Sequence, residues 1–376
     1  MMLDCRAFYE AMTEQGFDFY AGVPDSLLKD FCAYLTDYTA ADRHIITANE
    51  GSAIALAAGH FLATGKPGVV YMQNSGLGNT VNPLTSLADP ACYGIPMLLV
   101  IGWRGEPGKK DEPQHVKMGA VTRELLDAVG VAYTVLPDNI EEAHAAVADA
   151  VVKMNANQAP HALLIRKGTF DKHVLQSGLP SAYEMTREAA IRAVVERLDS
   201  DALVVATTGK PSRELFEIRE QRSEPHDTDF LTVGSMGHSS QIALGVALRH
   251  PNREVFCLDG DGAALMHLGG FATIGTSGAK NYRHVIVNNG AHDSVGGQPT
   301  VGFEVSLTGV ALACGYKAAF VATSAEEVAA HWDAFMGTEG PVVLEIRVKT
   351  GARADLGRPT MTPKDLKKAF MGAIRG

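Results

Sequence analysis

The sequence predicts an α/β protein built from two doubly wound parallel-sheet domains. Short runs rich in Val, Ile and Leu recur along the chain, and amphipathic segments of helical length separate them. A polar stretch near residues 170–188 interrupts this rhythm, which then restarts. Since 376 residues suit two domains of ordinary size better than one, we expect domains at 1–175 and 185–376.

The apolar runs are the candidate strands. In the first half they are DFYAG (18–22), HIITA (44–48), GVVYMQ (68–73), PMLLVIG (96–102), AYTVLP (132–137) and HALLIR (161–166). In the second half they are ALVVATT (202–208), FLTV (230–233), EVFCL (254–258), HVIVNN (284–289), KAAFVA (317–322) and PVVLEIRV (341–348). Their alternation with helical segments is typical of βαβ units and parallel sheets.

Composition excludes several classes of function. Hydrophobic residues make up 46% of the chain and charged residues 20%, which is typical of a globular protein. A net charge of −10 argues against a surface that follows nucleic-acid phosphates. The five cysteines are dispersed without metal-ligand spacing, the N-terminus lacks the pattern of a signal peptide, and the longest apolar stretch (94–103) is too short to cross a bilayer. We expect a cytoplasmic protein without nucleic-acid or membrane partners.

Gly260-Asp261-Gly262 forms a predicted strand-to-helix junction, and the strand HVIV ends at Asn288-Asn289. In an open parallel sheet both loops emerge at the carboxyl ends of strands, where ligands bind. Glycines admit a phosphate close to the backbone, a helix N-terminus favours negative charge, and Mg²⁺ prefers carboxylate and amide oxygens. The alternative is that Asp-Gly and Asn-Gly are ordinary turns.

GDG, residues 263–287 and then NN together resemble the cofactor motif of the thiamine-diphosphate enzymes. The resemblance implies thiamine diphosphate and Mg²⁺ as cofactors, with Asp261, the Asn289 side chain and the Ala291 carbonyl as metal ligands. Asn288 remains an alternative to Asn289. The first domain would then bind the pyrimidine and the second the diphosphate and Mg²⁺, without the central domain of longer members.

Other second-half segments resemble the cofactor loops of the same family. The Gly234 carbonyl would accept a hydrogen bond from the 4′-amino group of the cofactor. The Met236 side chain would lie between the two cofactor rings, although Met more often fills a core. Ala263 replaces the Ser or Thr often found after GDG. The further contacts implied by the resemblance are Thr208, Gly209, Gly260, Gly262, Ala263, Asp293 and Ser294.

Glu50 lies at a strand-to-helix junction with Asn49 as its expected N-cap. A glutamate in the first turn is also favoured by the helix dipole alone. In the family this position resembles the glutamate that activates the cofactor through a pyrimidine ring nitrogen. The loop with Ser75, Gly76 and Gly78 resembles the family segment that faces the cofactor.

Within the family, the sequence is similar to those of the phosphonopyruvate decarboxylases and more distantly to those of the sulfopyruvate decarboxylases. The segments that carry this resemblance are 20–26, 103–119, 288–300 and 356–363. It implies a carboxy-lyase that decarboxylates 3-phosphonopyruvate, a small anionic 2-oxo acid, to phosphonoacetaldehyde and CO₂, with a role in phosphonate biosynthesis. Because both substrates carry two anionic groups, the site needs cations. The candidates are Arg104, Lys109, Lys110 and Lys117, although lysines in such a charged loop are often only solvated.

Asp25 and His115 are our candidates for proton transfer, so the expected catalytic set is Glu50, Asp25 and His115. A lone histidine is also commonly structural. Family precedent implies an active site at a subunit interface, in a homodimer or a dimer of dimers. The alternatives are sulfopyruvate as substrate, a catalytically silent thiamine-diphosphate-binding partner, or carboligation, which the missing central domain disfavours.

Overall fold

A computed structural model describes residues 2–178 and 181–375, which fall into two compact units. Unit 1 is Met1–Gly178 with Val295–Gln298, and unit 2 is Leu179–Ser294 with Pro299–Gly376. Each unit contains a six-stranded parallel sheet with flanking helices, so the predicted fold class is confirmed. Among the described residues, no helix is both long and apolar enough to cross a membrane.

In unit 1 the sheet order is β2-β1-β3-β4-β6-β5. The strands are β1 Tyr20–Gly22, β2 His44–Ile46, β3 Val69–Gln73, β4 Leu98–Gly102, β5 Ala132–Val135 and β6 His161–Ile165. The helices are α1 Cys5–Glu14, α2 Lys29–Tyr38, α3 Glu50–Thr64, α4 Leu77–Pro83, α5 Pro113–Ala128 and α6 Ile140–Asn157. Each of the six strands overlaps one of the apolar runs that predicted it.

In unit 2 the sheet order is β11-β12-β10-β9-β7-β8. The strands are β7 Leu203–Ala206, β8 Asp229–Leu231, β9 Val255–Gly260, β10 Tyr282–Asn288, β11 Ala318–Ala322 and β12 Val342–Arg347. The helices are α7 Arg187–Val195, α8 Lys210–Gln221, α9 Ser239–Ala247, α10 Asp261–Met266, α11 Gly270–Thr276, α12 Leu307–Ala313, α13 Ala325–Gly337 and α14 Pro363–Arg375. The predicted strands of this half are found as well.

Apolar clusters pack on both faces of each sheet, which explains the largely apolar character of the strands. In β3, Val69 and Tyr71 pack in one core cluster while Val70 and Met72 pack in the cluster on the opposite face. Most strand residues are apolar, although β9, β10 and β12 also carry the buried polar residues Asp259, Arg283, His284, Asn288 and Glu345. The loops after β1, β3, β4, β7, β8, β9 and β10 carry most of the predicted site residues.

Candidate active site

Glu50 is the first residue of α3 and is only 6% exposed. As expected, Asn49 caps the helix, because its side chain accepts from the Gly51 N–H at 2.8 Å. The Asn79 amide donates to Glu50 Oε2 at 2.7 Å. Burial raises the pKa of Glu50 above its ordinary value, and the Asn79 hydrogen bond opposes part of that rise. The carboxyl group therefore keeps its proton to a higher pH than an exposed glutamate does.

Gly76 lies directly against the Glu50 side chain. A Cβ atom added at Gly76 would come within 2.7 Å of Glu50 Cδ, so a glycine is required for the carboxyl group to occupy this position. Ser75 and Gly78, on either side, are exposed. The structure thus brings the predicted loop onto the predicted catalytic glutamate.

Asp25 is fully buried after β1. Its Oδ1 accepts from Gln73 Nε2 at 2.5 Å and its Oδ2 from the Leu27 N–H at 2.8 Å. The Ser75 hydroxyl donates to the other end of the same amide, Gln73 Oε1, at 2.7 Å. Burial raises the pKa of Asp25 above its ordinary value, although these donors oppose the rise. Sequence reasoning missed Gln73, which links a buried carboxyl group to an exposed hydroxyl.

Arg104, a predicted substrate contact, is paired within the chain. Its Nε donates to Asp111 Oδ2 at 2.8 Å and its Nη2 to Asp111 Oδ1 at 2.5 Å, while its Nη1 donates to Ser26 Oγ at 2.7 Å. The Arg104 hydrogen bonds hold the pKa of Asp111 far below its ordinary value. The charge of Arg104 is therefore already balanced by a carboxylate that sequence reasoning did not identify.

His115 lies on α5 and is buried. Burial, followed by the positive charge of Arg104, lowers the pKa of His115 to about 4, so the imidazole is neutral at neutral pH. Its Nδ1 has no hydrogen-bond partner among the described residues. Lys109, Lys110 and Lys117 are exposed. The structure therefore groups His115 with Arg104 but leaves the three lysines at the surface.

Asp261 begins α10, directly after β9, and is 2% exposed. Its Oδ2 accepts from the Thr300 hydroxyl, and the Asn289 N–H approaches its Oδ1 at 3.4 Å. Burial raises the pKa of Asp261 to about 6, against the effect of the Thr300 hydrogen bond. Sequence reasoning missed Thr300, which lies 39 residues from Asp261 along the chain.

The two neighbouring asparagines differ in their surroundings. Asn288 Nδ2 donates to the Gly302 carbonyl at 2.6 Å and to Glu345 Oε1 at 2.9 Å, and a Cβ added at Gly302 would lie 2.6 Å from Asn288 Oδ1. Asn288 is thus enclosed by protein. Asn289 Nδ2 donates to Asp293 Oδ2 at 2.8 Å, and its Oδ1 accepts from the Ala291 N–H at 3.1 Å. These contacts favour Asn289 as the side chain available to a ligand.

Met236 reaches the first turn of α10. A Cβ added at Gly262 would meet Met236 Cε at 3.3 Å and the His292 ring at 3.2 Å, so both side chains lie over this glycine. Met236 is only partly buried and therefore does not fill the core. Ser235, just before it, adopts φ 54°, a conformation uncommon outside glycine and frequent at functional loops. Sequence reasoning missed His292, whose pKa burial lowers to about 4.

Gly209 and Ser294, two predicted diphosphate contacts, are neighbours. A Cβ added at Gly209 would lie 2.9 Å from Ser294 Oγ, and Gly209 has φ 97°. Lys210 follows in the first turn of α8 and donates its Nζ to the Asp293 carbonyl at 2.9 Å. The remaining predicted contacts are Thr208, Gly234 and Gly260, all in loops or at strand ends of this unit, and Ala263, which is buried in α10.

These residues fit the expected cofactor and metal. Glycines at 76 and 209 allow the Glu50 carboxyl group and the Ser294 hydroxyl to lie directly against the backbone. Asp261, the Asn289 amide and the Ala291 carbonyl offer only oxygen atoms, which are the ligands that Mg²⁺ prefers. Lys210 adds a positive group beside the loop that holds Ser294, as a diphosphate requires.

Cys257, Asp259 and His284 form a separate buried group on β9 and β10. Their ligand-type atoms lie within 4.8 Å of one another, and Asp259 Oδ1 accepts from the Gly260 N–H at 3.0 Å. His284 also pairs with the Tyr316 hydroxyl at 3.0 Å. The group includes a sulfur atom and is distinct from the oxygen set around Asp261, so it does not compete with the assignment of Mg²⁺.

Comparison with known proteins defines the family. Residues 5–136 match the model of the N-terminal TPP binding domain of thiamine pyrophosphate enzymes, and residues 207–346 match the C-terminal TPP binding domain. The chain belongs to the thiamine pyrophosphate enzyme family. This assignment confirms the resemblance that the motifs indicated and the expectation of a thiamine-diphosphate enzyme.

The relatives narrow the class. The chain is 37% identical to "Phosphonopyruvate decarboxylase" of Streptomyces viridochromogenes, over 99% of this chain and 95% of the relative. It is 36% identical to the protein of the same name from Streptomyces hygroscopicus, over 98% and 93%. Identity to "Sulfopyruvate decarboxylase" of Methanosarcina acetivorans is 28%, over 96% and 95%. These matches support the predicted enzyme class, a carboxy-lyase.

Proposed function

We propose that this chain decarboxylates 3-phosphonopyruvate to phosphonoacetaldehyde and CO₂, with thiamine diphosphate and Mg²⁺ as cofactors. The observation that carries the proposal is the 37% identity to a phosphonopyruvate decarboxylase over nearly the full length of both chains. The buried carboxyl groups of Glu50 and Asp261 support it, because one suits proton sharing and the other suits a divalent cation.

In unit 2, Asp261, the Asn289 amide oxygen and the Ala291 carbonyl are proposed to hold Mg²⁺. Thr300 fixes the Asp261 carboxylate by a hydrogen bond to Oδ2. A carboxylate beside a diphosphate would repel it, and a divalent cation held between the two groups removes that conflict. The open N-terminus of α8, which no side chain caps, and Lys210 add favourable charge for the diphosphate.

In unit 1, Glu50 is proposed to hold a proton shared with a pyrimidine ring nitrogen. When bound, thiamine diphosphate supplies the carbon nucleophile and the electron sink. Because burial raises the pKa of Glu50, the carboxyl group keeps its proton to a higher pH. Asp25 and His115 are proposed for proton transfer to the product. The raised pKa of Asp25 favours its acid form, and the lowered pKa of His115 keeps the imidazole neutral.

The proposed substrate carries a carboxylate and a phosphonate, so it needs positive charge in the site. Arg104 is the most enclosed candidate, with a side chain 17% exposed, and its fork already holds the Asp111 carboxylate. A phosphonate presents oxygens of the same bidentate geometry with more negative charge. Lys109 and Lys110 lie at the surface of the same loop and can add to the local positive charge.

The test is a steady-state panel with phosphonopyruvate, sulfopyruvate and pyruvate, in the presence of thiamine diphosphate and Mg²⁺. We expect kcat/KM to fall in that order. Arg104→Ala should reduce the ratio between phosphonopyruvate and pyruvate without changing cofactor affinity. Arg6→Ala, which removes an exposed arginine paired with Glu10, is the control. Equal kcat/KM for pyruvate and phosphonopyruvate would contradict the substrate and leave the cofactor assignment standing.

A second candidate substrate is sulfopyruvate, because the chain also aligns over 96% of its length with a sulfopyruvate decarboxylase. Lower identity, 28% against 37%, makes it the second choice. A sulfonate carries less negative charge than a phosphonate and makes weaker charge-assisted contacts. The same panel distinguishes the two: sulfopyruvate with the higher kcat/KM would reverse our choice.

Self-association is part of the proposal, because family precedent implies that two chains complete one active site. Co-expression of Glu50→Gln and Asp261→Ala chains tests it. If sites form between chains, mixed dimers contain one site with both native residues and regain activity, although each variant alone is inactive. The absence of any recovery, with mixed dimers shown by two affinity tags, would contradict a shared site.

A further inference from the structure

The Asp293 carboxylate collects more donors than its proposed contact with the cofactor needs. Its Oδ2 accepts from Asn289 Nδ2 at 2.8 Å, from Arg187 Nη1 at 2.9 Å and from the Gly351 N–H at 2.9 Å. Lys210 Nζ donates to the carbonyl of the same residue at 2.9 Å. Its side chain is 10% exposed, so most of the carboxylate is shielded from water, although the Gly351 contact lies at the surface. Asp293 therefore faces the protein interior.

The contact with Asp293 determines how the Asn289 amide is oriented. A carboxylate only accepts hydrogen bonds, so the NH₂ group of Asn289 must face Asp293 and its oxygen must face away. The Ala291 N–H donates to that oxygen at 3.1 Å and fixes the same orientation from the other side. An amide oxygen has a second lone pair, which remains free for a cation.

Arg187 fixes Asp293 in turn. Its Nε and Nη2 donate to Glu214 at 2.8 and 2.9 Å, which leaves Nη1 for Asp293. Arg187 is 4% exposed and Glu214 1% exposed. The guanidinium group also balances the Asp293 charge, since an unbalanced carboxylate in this loop would repel a diphosphate. The sequence alone does not indicate that Arg187 or Glu214 belongs to the site.

We propose that Arg187 and Asp293 are positioning residues that hold the Asn289 amide with its oxygen directed toward the divalent cation. This inference rests on the proposed function, because it assumes that Asn289 is a metal ligand. It also changes the role of Asp293, from a cofactor contact to a residue that acts through Asn289. Partners behind metal ligands typically contribute 10–100-fold to metal affinity, which is the magnitude expected here, about 10-fold or more.

The experiment measures Mn²⁺ affinity by electron paramagnetic resonance in the presence of thiamine diphosphate, so it does not depend on turnover. Asp293→Asn removes the carboxylate charge and allows the Asn289 side-chain amide to flip, which exchanges the positions of its NH₂ group and its oxygen. Arg187→Gln removes the cation that holds Asp293. We expect the Mn²⁺ dissociation constant to rise about 10–100-fold in both variants. Arg187→Lys, which keeps the charge, should recover part of the loss.

Arg219→Gln is the matched control. Arg219 is also a buried arginine of unit 2, held by Asp229 at 2.9 and 3.0 Å, and it has no contact with Asn289 or Asp293. Its loss should lower thermal stability to a similar degree as Arg187→Gln and leave Mn²⁺ affinity unchanged. If Arg219→Gln weakened Mn²⁺ binding as much as Arg187→Gln does, the effect would be a general structural one and the inference would be overturned.

The outcomes also separate this inference from the proposed function. Asp261→Ala should abolish Mn²⁺ binding. If the wild-type protein binds no Mn²⁺ with thiamine diphosphate present, the metal centre itself is wrong and the inference falls with it. If the wild type binds Mn²⁺ and Asp261→Ala does not, while Asp293→Asn and Arg187→Gln bind as the wild type does, only the positioning role is refuted.

Discussion

Asn79 gives the most quantitative test of the proposed catalytic carboxyl group. It donates to Glu50 Oε2 at 2.7 Å, and Glu50 is 6% exposed. Asn79→Ala removes this donor and leaves a buried carboxyl group without it. A hydrogen bond to a charged group contributes about 1.5–3 kcal/mol, whereas one between neutral groups contributes about 0.5–1.5 kcal/mol. The loss of stability should therefore depend on whether Glu50 is ionised.

The sign follows from the direction of the pKa shift. Burial raises the pKa of Glu50, so the group's contribution to stability is fully present below its unfolded pKa and is lost as the pH rises through its folded pKa. Asn79→Ala raises the folded pKa further. We expect the variant to be destabilised by about 0.5–1.5 kcal/mol at acidic pH and by about 1.5–3 kcal/mol at alkaline pH.

The assay is denaturant unfolding of the protein without cofactor, at a series of pH values. The chain has two tryptophans, Trp103 and Trp332. In a Trp332→Phe background, the fluorescence of Trp103, which lies directly after β4, reports the unfolding of unit 1. Asn82→Ala, an exposed asparagine on the same helix, is the control. In a Glu50→Gln background the effect of Asn79→Ala should lose its pH dependence. If Asn79→Ala in the native background lost the same stability at all pH values, the reasoning that Asn79 stabilises the ionised form of Glu50 would be refuted.

Other predictions address turnover and cofactor binding. Glu50→Gln should lower turnover about 10²–10⁴-fold while the cofactor remains bound, as measured by calorimetric titration and steady-state kinetics. Gly76→Ala should lower turnover strongly, because the new Cβ displaces the Glu50 carboxyl group, whereas Gly59→Ala, which meets nothing within 4 Å, should not. Asp261→Ala should remove the Mg²⁺ dependence of cofactor binding in calorimetry; native affinity in that variant would contradict the metal assignment.

The fold could be predicted because its signals are local. The central strands are buried on both faces and therefore appear in the sequence as apolar runs, such as Val69–Gln73 in β3, whereas the edge strands β2, β5 and β11 are only partly buried. The N-cap of α3 was also predictable, because Asn49 bonds to a residue two positions away. GDG and NN lie at the ends of strands that are neighbours in the sheet, β9 and β10, so chain order already brings them together.

Contacts between distant loops could not be predicted in the same way. The Thr300–Asp261 and Arg187–Asp293 hydrogen bonds join residues 39 and 106 positions apart, and no periodicity marks either pair. Arg104 was expected to meet the substrate because it is a cation in a charged loop. Its pairing with Asp111, seven residues away, depends on the loop conformation, which exposes Lys109 and encloses Asp111.

The two carboxyl centres solve the same physical problem in different ways. Glu50 and Asp261 each begin a helix, and each is taken out of water, which disfavours the charged form and raises its pKa. Around Glu50 the neighbours include one amide donor, Asn79, and one glycine, Gly76. Protonation of the carboxyl group therefore offsets the cost of its burial. A carboxyl group that holds a proton can share it with a ring nitrogen. Around Asp261 the neighbours include the Thr300 hydroxyl and the Asn289 N–H, and at the proposed metal site a divalent cation would offset burial instead. The difference between the two centres therefore follows from what surrounds each carboxyl group.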